Sequence, residues 1–141
     1  MSKQTAGMTL IELLVTLAVV AILSSIAVGS YRSYTLRANR IDGETMLLKI
    51  QVAEEKFFLQ NNTYTTGVAV APPNGLGLLS TTLSGYYNLT VAAGTTGSIA
   101  TSYAATATAT GTQVNDKAAC LTLTINDQGQ RTPTDSSGCW K

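Results

Sequence analysis

The sequence predicts an α+β chain. One long N-terminal helix, apolar all round in its first half and amphipathic in its second, packs on a small antiparallel β-sheet, and two cysteines bound the C-terminal loop. Three observations carry this reading. Leu13 to Tyr31 contains no charged residue; apolar side chains between Tyr34 and Val52 recur at helical spacing; and from Tyr87 onward they alternate with a period of two.

The first half of the helix is the strongest signal. As an α-helix, Leu13 to Tyr31 spans roughly 28 Å, close to the apolar thickness of a bilayer. A chain of 141 residues has no core able to enclose such a helix on every side, so a membrane segment is expected. The order of segments is unusual. An ordinary secretory signal carries a positive n-region, a short apolar stretch and then a cleavage site of small residues. Here the polar leader MSKQTAG comes first, ends in Gly7, and the apolar run follows it.

Glu12 stands out at the edge of that run. An unpaired carboxylate in the hydrocarbon region costs about 2.5–3.5 kcal/mol or more, so such residues usually have a partner and a role. The simpler reading puts it at the interface, where the helix dipole favours an acid. Charge bias opposes export. Lys3 alone precedes the span while Arg32, Arg37 and Arg40 follow it, so the positive-inside rule by itself would leave the C-terminal part in the cytoplasm. The leader and the cysteine pair argue the other way.

The segment Ala6-Gly7-Met8-Thr9-Leu10-Ile11-Glu12-Leu13-Leu14 resembles the prepilin peptidase signal of type IV pilins and type II secretion pseudopilins. The resemblance implies cleavage between Gly7 and Met8, N-methylation of Met8, and pairing of Glu12 with the Met8 amine of a neighbouring subunit during assembly. Met8 replaces the usual Phe, and Gly29 stands where many pilins carry Pro. Gly29 is expected to mark a bend or a helix-melting point, because an interior glycine costs about 0.5–1 kcal/mol relative to Ala; close packing against a neighbour is the other reading. The implied organisation is a leader at 1–7, a transmembrane and filament-core helix at 8–31, and a globular headgroup at 32–141.

Beyond the membrane the helix is expected to continue. Tyr34, Ala38, Ile41, Thr45, Leu48 and Val52 form a stripe wide enough to cover a sheet, with Arg32, Arg40, Lys49 and Lys56 on the other face and Asn61-Asn62 at its end. The acids Asp42, Glu44, Glu54 and Glu55 read as a solvated face. Thr63 to Gly85, punctuated by Pro72-Pro73-Asn74-Gly75, is expected as a loop region. Three strands follow, around Tyr87 to Val91, Tyr103 to Ala109 and Leu121 to Ile125, with a turn at Asn126 to Gly129 and a Thr-rich outer face.

Cys120 and Cys139 are two buried thiols if the chain stays in a reducing compartment and one disulfide if it is exported. A long helix, an antiparallel sheet and a C-terminal disulfide loop together resemble the pilin fold. Tyr31-Arg32-Ser33-Tyr34, the run Phe57 to Tyr64 and the ending Gly138-Cys139-Trp140 look most like PilE-type minor pilins.

Several functions are disfavoured. There is no His, the charged fraction is 12% and the net charge is +1, so the commonest general base and zinc ligand are missing and no strong field draws the chain to nucleic acid. No phosphate-cradling glycine motif occurs. We expect no catalytic residues, no metal and no cofactor. The expected function is a structural subunit, a minor pilin supporting adhesion, twitching motility or DNA uptake. The alternatives are a type II secretion pseudopilin and a membrane-tethered periplasmic binding module that never polymerises. The partners implied are other pilin subunits, the prepilin peptidase, the inner-membrane assembly machinery and, before assembly, lipid. DNA contact through Arg32, Arg37, Arg40, Lys49 and Lys56 is the weaker expectation. The implied location is the inner membrane, headgroup in the periplasm, and then the extracellular pilus.

Overall fold

The computed structural model describes residues 7–134 and 138–140. The expected leader, Lys3 included, lies outside the described residues except for Gly7. Helix α1 runs Leu10–Asn61. It ends where Asn62 turns to a φ of 55° and its N–H bonds back to the Phe58 carbonyl at 2.8 Å, the left-handed cap that glycine or asparagine supplies. The chain forms two compact units, Met1–Thr35 and Leu36–Lys141. In the first, no side chain from Gly7 to Tyr34 is buried.

The second unit holds the sheet, an antiparallel meander in the order β1 (Tyr87–Ala93), β2 (Tyr103–Ala109), β3 (Thr122–Asn126) and β4 (Arg131–Thr132). Two 3₁₀ turns, Gly111–Asn115 and Ala118–Cys120, connect β2 to β3. Alternation selects the faces as expected. Tyr87, Leu89, Val91, Tyr103, Ala105, Ala107, Ala109, Leu123 and Ile125 are buried, in one cluster with Met46, Leu47 and Ile50 of α1. Thr90, Thr106, Thr124 and Thr132 stand in register across all four strands on the other face. The fourth strand was not expected, because two residues are too few to display a period. The third opens at Thr122 rather than Leu121.

The helix buries a different face from the one its apolar stripe predicts. Tyr34, Ala38, Ile41, Thr45, Leu48 and Val52 are all exposed, Val52 by 71%. The buried positions are Arg40, Gly43, Glu44, Met46, Leu47, Ile50 and Glu54. Of the four acids expected on a solvated face only Glu55 is exposed, and Arg40 is likewise withdrawn from solvent. Asp42 accepts hydrogen bonds from the Ser84 amide at 3.0 Å and the Ser84 hydroxyl at 2.6 Å. Periodicity assumes that charge faces water. Here folded loops supply partners to the charges, and a glycine admits an aromatic ring. A Cβ on Gly43 would stand 3.2 Å from Cδ2 of Tyr87, so the ring packs against bare helix backbone.

Candidate assembly segment and headgroup anchor

Gly7 and Met8 are both exposed and lie just ahead of the Thr9 cap of the helix. Thr9 is the cap. Its carbonyl accepts the Leu13 amide at 3.2 Å, and its hydroxyl accepts the Glu12 amide at a long 3.4 Å. Thr9-x-x-Glu12 is therefore a capping-box sequence. The pattern is legible in the sequence, and of the two reciprocal bonds the structure shows the one from the Glu12 amide to the Thr9 hydroxyl. Glu12 itself is exposed, on the first turn of α1.

The helix that follows has an 18-residue window of mean hydropathy 2.5 with none of it buried. Leu10, Leu14, Leu17, Val20, Ile26 and Val28 are each more than half exposed. Burying a side chain of this size is worth about 1.5–3 kcal/mol, so the first unit carries a large unmet drive toward lipid or other helices. At Gly29 the helix is continuous and nothing lies within 4 Å of where a Cβ would be. Its carbonyl accepts the Ser33 hydroxyl at 3.2 Å. Among the described residues, no close contact demands a glycine there.

A second uncovered surface lies on the headgroup. Leu48, Val52, Ala53 and Leu78 line an open apolar groove of about 520 Å³, rimmed by Lys49 and Lys56. It comprises part of the stripe that periodicity assigns to the core.

The opposite side of the helix is fastened by a polar clasp that sequence reasoning missed. Arg40 Nε stands 2.8 Å from Asp116 Oδ2, with both side chains less than a tenth exposed. The contact is a close charge pair lying off the line of a directed hydrogen bond. Arg40 also donates to the Gly138 carbonyl at 3.0 Å. Gln113 Nε2 lies 2.9 Å from Asp116 Oδ2, 3.1 Å from the Leu36 carbonyl and 3.1 Å from the Tyr87 hydroxyl. Its Oε1 accepts from Asn39 at 3.0 Å. The Tyr87 hydroxyl in turn donates to the Cys120 carbonyl at 3.1 Å, and burial pushes its pKa up to about 12, so it remains a donor. Cys120 and Cys139 are disulfide-bonded, which ties Gly138 and Trp140 to the clasp. The signal for it in the sequence is faint: an arginine and an aspartate 76 positions apart.

Trp140 is buried, donates to the Thr132 carbonyl at 3.2 Å, and lies under the Arg131 guanidinium at 5.2 Å. Among the described residues no cluster of potential metal ligands occurs.

Comparison with known proteins agrees with this geometry. Residues 29–124 match the family described as "Type IV minor pilin ComP, DNA uptake sequence receptor", and residues 2–28 match the prokaryotic N-terminal methylation motif. The type IV major pilin protein PilA of Myxococcus xanthus is 29% identical over 72 residues, covering 49% of this chain and 33% of that protein; the chain thus spans about a third of that relative's length. A type IV pilin structure from Shewanella oneidensis matches with a TM-score of 0.53 at 20% identity, over 75% of this chain and 98% of that one, a likeness of fold. With a family match well over half its length, the methylation motif ahead of an apolar helix and a pilin architecture, the chain belongs to the type IV minor pilin ComP family.

Proposed function

We propose that this chain is a structural subunit of a type IV pilus, anchored in the inner membrane by Leu13 to Tyr31 and then packed by the same helix into the filament. The observation that carries the reading is the apolar window of α1, none of which is buried within the chain. The prepilin peptidase cuts between Gly7 and Met8, Met8 is N-methylated, and Glu12 then meets a neighbouring subunit's cationic amine. Opposite charges attract strongly where water is excluded, and each is costly if left unpaired. The assembly machinery would draw subunits from the bilayer in that register, and Gly29 lets the helix loosen as it leaves lipid.

Two substitutions separate pairing from capping. Glu12→Gln keeps a side chain able to complete the capping box but removes the charge, whereas Glu12→Ala removes both. Both precursors should insert in the membrane, and both should be depleted from sheared pili on immunoblots. Normal incorporation of Glu12→Gln would refute charge pairing and leave Glu12 with the cap alone. Intact mass of fibre subunits checks processing, and a mature chain still beginning at Met1 would refute it.

The matched family's description favours a second reading, contact with DNA during uptake. Arg40 is held by Asp116 and drops out of the expected set, while Arg32, Arg37, Lys49 and Lys56 are exposed, as is Lys117 outside that set. Fluorescence anisotropy of the full chain in neutral detergent with duplex DNA tests it. Binding should weaken steeply with salt, and Lys117→Ala should lower the log–log slope by about one. No binding at low salt would refute it.

A further inference from the structure

About two turns before its C-terminal end, helix α1 carries a buried acid, Glu54, that its sequence pattern assigns to solvent. Glu54 is 0% exposed. One carboxylate oxygen, Oε2, accepts the Thr65 amide at 3.1 Å; the other, Oε1, has no hydrogen-bond partner. On β2 the Tyr103 hydroxyl is likewise buried and unpartnered. Between the helix and β2 runs an aromatic stack. Phe58 lies 4.6 Å from Tyr64, and Tyr64 lies 4.8 Å from Tyr103. Thr65 and Tyr64 belong to the segment that leaves the helix, so the Glu54 carboxylate and this stack hold that segment down.

Among the described residues, the titratable groups that act on this site are carboxylic acids and phenols. Glu55 comes from α1 itself, Tyr64 from the connecting segment, Tyr103 from β2 and Asp127 from the turn between β3 and β4. No cation is among them to stabilise an ionised Glu54. One amide hydrogen bond is a small return for a buried charge, which needs pairing or several donors to be tolerated. Desolvation is the larger influence, outweighing the Thr65 bond, and holds the Glu54 carboxyl up to about 7 from an ordinary 4.5.

We propose that Glu54 is a proton-operated latch: protonated, it closes the segment 62–66 onto the helix end, and ionised, it favours an opened segment that lets water reach Oε1. The sign follows from linkage. Closure is fully favoured below about 4.5, weakens as pH rises toward 7, and levels off above that. The released segment leads into Pro72, Pro73, Gly75 and Leu76, which face Lys56 and Phe57 across a second open groove. Proton concentration would thereby adjust the surface that the headgroup presents beside Lys56.

Hydrogen exchange of the full chain in detergent micelles tests the latch. The exchange of segment 62–66 is measured as a ratio to that of β1, which cancels the intrinsic base catalysis of exchange. With the two pKa values above, the ratio should rise on the order of 50-fold from about pH 5 to pH 7.5. In Glu54→Gln it should stay flat. Identical pH profiles in the two proteins, or a flat profile in the parent, would overturn the proposal. Should Glu54→Gln fail to fold, carbon NMR of the parent chain decides. A Glu54 carboxyl midpoint near 7 supports the latch, and one near 4.5 overturns it.

Discussion

Replacing Arg40 by methionine keeps most of the apolar stem and removes the guanidinium, leaving Asp116 buried without its cation. The structure sets the magnitude. The lost contacts are the 2.8 Å charge pair, the 3.0 Å bond to the Gly138 carbonyl and a weak 3.6 Å contact to Cys120 Sγ. Removing one partner of a buried pair typically costs about 3–5 kcal/mol, because the other charge stays desolvated. Asp116 is partly compensated, since it retains Gln113 Nε2 at 2.9 Å and the Lys117 amide at 2.8 Å. That argues for the lower end, about 3 kcal/mol. In a domain of roughly 100 residues each kcal/mol moves Tm by about 4–8 °C, so a fall of about 12–24 °C is expected. The assay is thermal unfolding of the full chain in detergent, followed by near-ultraviolet circular dichroism, which reports the packing of Trp140. The double variant Arg40→Met with Asp116→Leu should recover much of the loss, as apolar replacements of buried pairs often do. If Arg40→Met shifts Tm by less than about 3 °C, the clasp contributes no more than an exposed ion pair and the reasoning fails.

Other outcomes follow from the same packing. Gly43→Leu should destabilise the headgroup by about 3 kcal/mol or more, because its side chain would overlap the Tyr87 ring, whereas Gly43→Ala should stay within about 1 kcal/mol as helix propensity offsets a 3.2 Å contact; urea midpoints of the two variants measure this. Cys120→Ser with Cys139→Ser opens a loop with a sequence separation of 19. It should cost about 3 kcal/mol on the chain-entropy view, read as a lower midpoint in the unreduced variant. Gly29→Ala has open space around it and should stiffen the helix by about 0.5–1 kcal/mol. If local melting serves assembly, immunoblots of sheared fibres should show less of this variant at equal membrane levels.

The sequence by itself determined the existence of the long helix and the inward faces of the first two strands, which depend on local pattern. An uncharged run of bilayer length, a glycine and a glutamate at fixed places before it, and period-two alternation in Tyr87 to Val91 and Tyr103 to Ala109 all act through neighbours in the chain. The helix runs unbroken from Leu10, and those strands turn the expected residues inward. What only the tertiary structure decided is which side of the helix meets the sheet. Leu48 and Val52 are more hydrophobic than Arg40 and Glu54, yet the latter are buried and the former exposed. The reason is that a charge's burial depends on partners distant in sequence. Asp116 and Gly138 meet Arg40, and Thr65 meets Glu54, only once the loops have folded. Gly43 adds to this, since its missing side chain is what lets Tyr87 lie against the backbone. Hydrophobic periodicity sums single-residue preferences and takes no account of a partner 76 or 98 positions away.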